Sequence, residues 1–293
     1  MSTTELSGIV GRPSSEPARR GPAGPMTLRS AGASITGPRP DNQDSGCAGQ
    51  RLIAVADGVG GRPGGALASS TTINQLTEQV TACRDEPGPE WLRGAVASAN
   101  RRIATAGRWR PYLRGMATTL TALCLGSSAQ LAVAHIGDSR GYLVRGGQLH
   151  QLTTDHTLVR LMLDAGTSTG AQASSHPLRS MLLAALHGRD DDLHGLETST
   201  LAVKTGDRLL VCTHGLYAVV DHNTMSRILV RAPTPADAVA ALLRAVSQAP
   251  ARDNATGVVA DVLDRRPEIG QPLGRVGAAV RLGPVTRGGP TAG

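Results

Sequence analysis

The chain has 293 residues, of which 40 % are apolar but only 2 % aromatic, with no Phe, so any core must be filled by Leu, Val, Ile, Ala and Met. Its net charge of +7 suggests nucleic-acid binding, but the excess lies in the tails: residues 1–38 carry four Arg against Glu5 and Glu16, and residues 264–293 carry five Arg against Asp264 and Glu268. With no zinc-finger spacing, no aromatic run of the RNA-binding kind and no long basic block, nucleic-acid binding is excluded as an expectation.

In chain order, residues 1–26 are rich in Gly, Pro, Ser and Arg without periodicity and are expected to be a disordered tail. They contain no apolar stretch of the secretory-signal kind, and no run along the chain approaches the ~18–20 apolar residues of a membrane span. Cys47, Cys83, Cys124 and Cys212 are scattered and form no C-x-x-C pair, which argues against a zinc site or a disulfide scaffold. The expected setting is soluble and cytoplasmic.

A single domain is expected over 27–264. Short runs bounded by Gly, Asp and Asn predict strands at 51–56, 118–125, 131–136, 141–144, 207–213 and 257–263. Helices are expected over 65–82, 90–106 and 155–165. A further helix starts after Thr234, with Pro235 at its first position, Asp237 completing a capping pattern, and Ala238, Val239, Leu242, Leu243 and Val246 as its apolar stripe. This irregular order points to an α+β layered domain rather than a doubly wound parallel sheet. Residues 265–293 again lack periodicity and are expected to be a disordered basic tail.

The informative feature is where Asp falls. Asp44, Asp57, Asp138 and Asp253 each lie at a strand end or in a turn beside Gly or Asn. One such Asp is a turn-former; four in one domain, if brought together, make an all-oxygen site of the kind Mg²⁺ or Mn²⁺ prefers. Burying them unpaired would be too costly. Gly58 fits the same idea, because a backbone carbonyl reaches an ion only where no side chain intervenes. The glycines after Asp57 lack the Lys-Ser/Thr of a nucleotide-binding loop.

These segments resemble the PPM, or protein phosphatase 2C, family of metal-dependent serine/threonine phosphatases, bacterial type. The resemblance rests on Arg39-Pro-Asp-Asn-Gln-Asp44, Ala54-Val-Ala-Asp-Gly-Val-Gly-Gly61, Gly115-Met-Ala-Thr-Thr-Leu120, Gly137-Asp-Ser-Arg140, Thr213-His-Gly-Leu216 and Asp253-Asn-Ala-Thr256, which occur in family order. It implies a four-layer αββα sandwich of two antiparallel sheets flanked by helices, holding two Mn²⁺ or Mg²⁺ ions with a third, weaker site.

By that resemblance Asp44, Asp57, the Gly58 carbonyl, Asp138, His214 and Asp253 are metal ligands, with Asp57 bridging the ions, and Arg39 binds the phosphate. Val59 and Arg62 stand where branches of the family place histidines, so a histidine acid is missing. His214 is the main departure, because the family has Asp there and an imidazole offers one neutral nitrogen. Two outcomes follow: His214 substitutes as a ligand in a working enzyme, or the site is crippled and the protein is a pseudophosphatase that binds phosphoproteins. Either way the implied partners are phosphorylated proteins, with a Ser/Thr kinase and its targets.

Overall fold

The computed structural model describes residues 26–59, 64–83, 86–126, 129–170, 172, 176–265 and 273–282. The tail 1–25, Arg62, and residues 266–272 and 283–293 lie outside the described residues.

Two antiparallel sheets face one another. The first has five strands, in the order β1 (Met26–Ile35), β10 (Ala255–Asp264), β9 (Arg208–Cys212), β6 (Arg140–Arg145) and β7 (Gln148–Gln151). The second has six, in the order β11 (Gly274–Gly277), β2 (Ser45–Ala48), β3 (Leu52–Ala56), β4 (Leu120–Leu125), β5 (Gln130–Ile136) and β8 (Glu197–Ala202). The α+β sandwich expected from the sequence is the fold found.

The central strands are buried at nearly every position because both of their faces are covered, and the period of two sorts the side chains between layers. Ile53 and Val55 of β3 point between the sheets, where they join Leu28, Val211 and Val258. Leu52, Ala54 and Ala56 point the other way, onto Ile73 and Leu76 of α1 (Gly65–Ala82) and Leu92 and Ile103 of α2 (Pro89–Trp109). Each fully buried Leu or Ile contributes roughly 1.5–3 kcal/mol. The outer face of the five-stranded sheet is covered in the same way. There Leu210 and Val259 pack against Met225 of α5 (His222–Arg231) and against Val239 and Leu242 of α6 (Pro235–Ser247). Two short helices lie nearer the sheet ends, α3 (Leu158–Asp164) and α4 (His214–Tyr217).

The Thr234 side chain accepts a hydrogen bond from the Asp237 N–H at 3.2 Å, so the α6 cap forms as its sequence predicts. Two expectations are corrected. Met26 belongs to β1, a ten-residue strand paired along its length with β10. Within the segment expected to be a disordered tail, residues 274–282 form β11 on the edge of the six-stranded sheet and α7 (Ala278–Leu282) against α1. Ala278 and Ala279 are buried there.

Candidate metal and phosphate site

The chain leaves β3 at Asp57, and its peptide is held on both sides. The Asp57 N–H donates to Thr119 Oγ1 at 3.1 Å, while its carbonyl accepts from the Thr119 N–H and the Thr118 hydroxyl, both at 2.9 Å. Gly58 follows in an antiparallel bridge to Thr118. A Cβ at Gly58 would meet backbone atoms of Gly65 and Gln43 at 2.5–2.7 Å, so only Gly lets the turn close.

Asp44 precedes β2 and is buried. Its Oδ2 accepts from the hydroxyls of Thr213 at 2.7 Å and Thr256 at 2.8 Å, which stand at the ends of β9 and β10. Its Oδ1, also buried, has no donor among the described residues. Burial pushes the Asp44 carboxyl up to about 6, outweighing the lowering by the two threonine hydroxyls. Asp57 is raised well above the ordinary carboxylate range, first by burial and then by the charges of Asp44, Asp138 and Asp253. Asp44, Asp138 and Asp253 therefore lie near enough to Asp57 for their charges to act on it.

Asp138 is buried in the turn between β5 and β6. Burial raises its pKa too, and the neighbouring His214 opposes that rise. His214 opens α4 with its N–H directed at Asp57 Oδ2, 3.3 Å away, and its ring lies edge-on to Tyr217 at 5.3 Å. Thus the backbone of His214 meets Asp57, while its imidazole acts on Asp138. Below them Arg140 holds both oxygens of Asp155, at 2.8 and 2.6 Å, and its guanidinium stacks 3.6 Å over the Tyr217 ring.

Arg39 and Asp253 form the exposed lip. Their ion pair closes at 3.1 Å, and Arg39 Nε also donates to the Arg252 carbonyl at 3.1 Å. Asn254 ties this lip to the Arg39–Asp44 loop: its amide donates to the carbonyls of Thr36 and Asp41, and its Oδ1 accepts from the Gln43 N–H at 2.9 Å.

The donor set suits a hard divalent cation. Asp44 and Asp57 lie close together with both carboxyls raised by burial, the Asp44 Oδ1 has no hydrogen-bond partner among the described residues, and no Lys or Arg of the described residues is among the main influences on either carboxyl. Among the described residues no three His, Cys, Asp or Glu side chains already form a coordination cluster, and Asp253 is engaged by Arg39. Sequence reasoning missed Thr213, Thr256, Asn254 and Arg140 as functional supports. All four lie inside the quoted motifs, Arg140 in 137–140, Thr213 in 213–216 and Asn254 and Thr256 in 253–256, and only their side-chain partners were hidden. His135 proves to be a core residue, buried with both ring nitrogens bonded, to Thr121 and to the Thr154 carbonyl.

Comparison with known proteins gives the family. The family model described as protein phosphatase 2C matches residues 38–263. The serine/threonine protein phosphatase PstP of Mycobacterium tuberculosis is 40 % identical over 244 residues, covering 82 % of this chain and 46 % of that protein. The protein phosphatase PhpP of Streptococcus pneumoniae is 33 % identical over 214 residues, covering 71 % of this chain and 85 % of PhpP. The chain thus spans about half the length of the mycobacterial relative. Among solved structures, the catalytic domain of PstP in complex with two manganese ions superposes with a TM-score of 0.75 at 36 % identity, covering 82 % of this chain and all of that one.

Proposed function

Because the chain belongs to the protein phosphatase 2C family, we propose that it hydrolyses phosphoserine and phosphothreonine in proteins. The observation that carries this reading is the buried Asp44 carboxyl with its unpartnered Oδ1 beside Asp57, whose ionisation is opposed by burial and by the charges of Asp44, Asp138 and Asp253, an opposition that a bound cation would relieve. Asp44, Asp57, the Gly58 carbonyl, Asp138, His214 and Asp253 are the residues that would hold Mn²⁺ or Mg²⁺. When bound, such ions lower the pKa of water and offset charge on a transferring phosphoryl group.

The chain's own contribution is to position. Thr213 and Thr256 hold Asp44 by one oxygen and leave the other free. Thr118 and Thr119 fix the Asp57 peptide and so the position from which its carboxyl projects. Arg39 sits at the exposed lip, where its guanidinium can exchange the Asp253 carboxylate for two phosphate oxygens. No histidine acid stands at Val59, so protonation of the leaving alkoxide is left to solvent. A protein kinase supplies the substrate, and the setting is cytoplasmic.

The second reading is a phosphoprotein-binding domain without turnover. One observation favours it: the ring of His214 is an imidazole that packs edge-on to Tyr217 and lies near enough to Asp138 to act on its charge, where the family resemblance implies a carboxylate. The test is hydrolysis of p-nitrophenyl phosphate and of a phosphothreonine peptide in millimolar Mn²⁺ or Mg²⁺. Turnover is expected with Mn²⁺, and Asp57→Ala is expected to abolish it. Activity that survives Asp57→Ala would show the site to be elsewhere.

A further inference from the structure

Five aromatic side chains serve the whole sequence, two Trp and three Tyr. Tyr142 is buried, and Trp91 and Tyr217 pack against the apolar cores. The other two, Trp109 and Tyr112, stand 82 % and 70 % exposed. Both lie where α2 ends, in Arg108-Trp-Arg-Pro-Tyr-Leu-Arg114, which has three Arg and no acid. Scattered exposed Leu residues need no explanation, but a chain this poor in aromatics has no folding reason to place two rings in water together. Rings and guanidinium groups side by side are what the energetic centres of interfaces are made of.

A cavity of about 330 Å³ opens beside this turn. Ile103, Leu113 and Met116 give it an apolar floor, Arg108, Arg114 and His187 give it polar walls, and no carboxylate lines it. His187 is paired with the Asp192 carboxylate at 3.4 Å, so the positive character of the cavity comes from Arg108 and Arg114. The cavity is also close to the acidic centre in the fold. Thr118 bridges to Gly58 on one side and to Leu186 on the other, and Met116 and His187 continue those two segments into the cavity wall.

We infer that this cavity and its Trp109–Tyr112–Arg rim dock an acidic peptide segment flanking the phosphorylated residue of the substrate, an inference that rests on the phosphatase reading and narrows its substrate class. Charge complementarity selects the occupant: three Arg with no lining acid attract Glu and Asp side chains, and the apolar floor takes an aliphatic one. A flat anionic bilayer would leave the concave floor empty.

The experiment has two arms. In the first, the full chain is titrated in chelator with fluorescein-labelled nonapeptides that carry unphosphorylated Thr flanked by Glu or by Gln, and anisotropy is read. The Glu peptide is expected to bind about tenfold tighter, and the preference is expected to vanish in Arg108→Ala/Arg114→Ala and to shrink in Trp109→Ala. In the second, the same peptides carry phosphothreonine and Mn²⁺ is present. KM is expected to be about tenfold lower for the Glu flank in the wild type and equal for both flanks in the double variant. The kcat values and p-nitrophenyl phosphate hydrolysis should stay unchanged. A wild type indifferent to flanking charge, or a preference that survives the double variant, overturns the inference while leaving the phosphatase intact. So does binding of a phosphatidylserine vesicle or an oligonucleotide that depends on Arg108 and Arg114 when peptide binding does not. Absence of all turnover with the Glu preference intact would instead sink the phosphatase reading and keep the docking site.

Discussion

At His214 the backbone and the side chain have separate duties. The N–H points to Asp57, which any residue but proline could provide, whereas the imidazole acts on the charge of Asp138. Replacing the ring by a carboxylate would return one negative charge and two oxygen donors to the centre, and a hard cation gains most from that. His214→Asp is therefore expected to tighten the half-saturating Mg²⁺ concentration by about tenfold, the size of one charge-assisted contact of ~1.4 kcal/mol, with a smaller change for Mn²⁺. Metal titration of p-nitrophenyl phosphate turnover measures it, and equal shifts for both ions would show that donor hardness is not what His214 changed. The candidate aspartates were legible in the sequence because each sits in a Gly- or Asn-marked turn. Their supports were not. Thr213 and Thr256 lie 169 and 212 residues from Asp44, and nothing local distinguishes a hydroxyl that caps a buried carboxylate from one that faces water.

Among the elements, those with a local signature were legible and those held by distant partners were not. β3, β4, β5 and β9 announce themselves as apolar runs closed by turns. β1 reads Met-Thr-Leu-Arg-Ser-Ala-Gly-Ala-Ser-Ile, too polar and too small to stand out, and its strand state comes from ten paired positions along β10. α5 did carry a signal that went unread: Asp221 caps it by accepting from the N–H groups of Asn223 and Thr224, and Met225 and Leu229 follow at helical spacing. The β11–α7 segment is the clearest long-range case, lying beyond the family-matched residues 38–263. Val276 reaches Gly32 and Gly46, Gly277 turns at φ +68° directly over the Asp44 carbonyl, and the Ala278 N–H donates to that carbonyl at 2.7 Å. Ala278 is the first residue of α7, where proline is tolerated, so Ala278→Pro deletes this donor with little helix penalty. It is expected to lower unfolding stability by about 1–3 kcal/mol, the cost of leaving a buried acceptor unpaired. A urea midpoint that falls at constant m-value is the expected readout, and an unchanged midpoint would mean that the C-terminal segment does not brace Asp44.

Across the molecule, the acidic centre draws on both sheets. Asp44 and Asp57 come from the ends of β2 and β3, while Thr213, His214 and Asp253 come from the ends of β9 and β10, and Asp138 stands in the crossing from β5 to β6. Closing the sandwich therefore brings like charges together, and folding works against their repulsion at this end. Whatever cation relieves that repulsion binds the folded state and has no comparable site in the unfolded chain, so it must raise the melting temperature by mass action. At a Mn²⁺ concentration a hundredfold above its Kd the gain is about 2.7 kcal/mol. For a domain of this size that corresponds to roughly 5–10 °C. The comparison is between melts in chelator and in Mn²⁺, followed by circular dichroism without any substrate. Asp57→Ala is expected to melt at or above the wild-type temperature in chelator, because it removes the most crowded charge, and to lose most of the Mn²⁺ response. That reversal of order separates a cation-bridged joint between the sheets from ordinary packing at the same place, where deleting a central side chain would lower both melts alike.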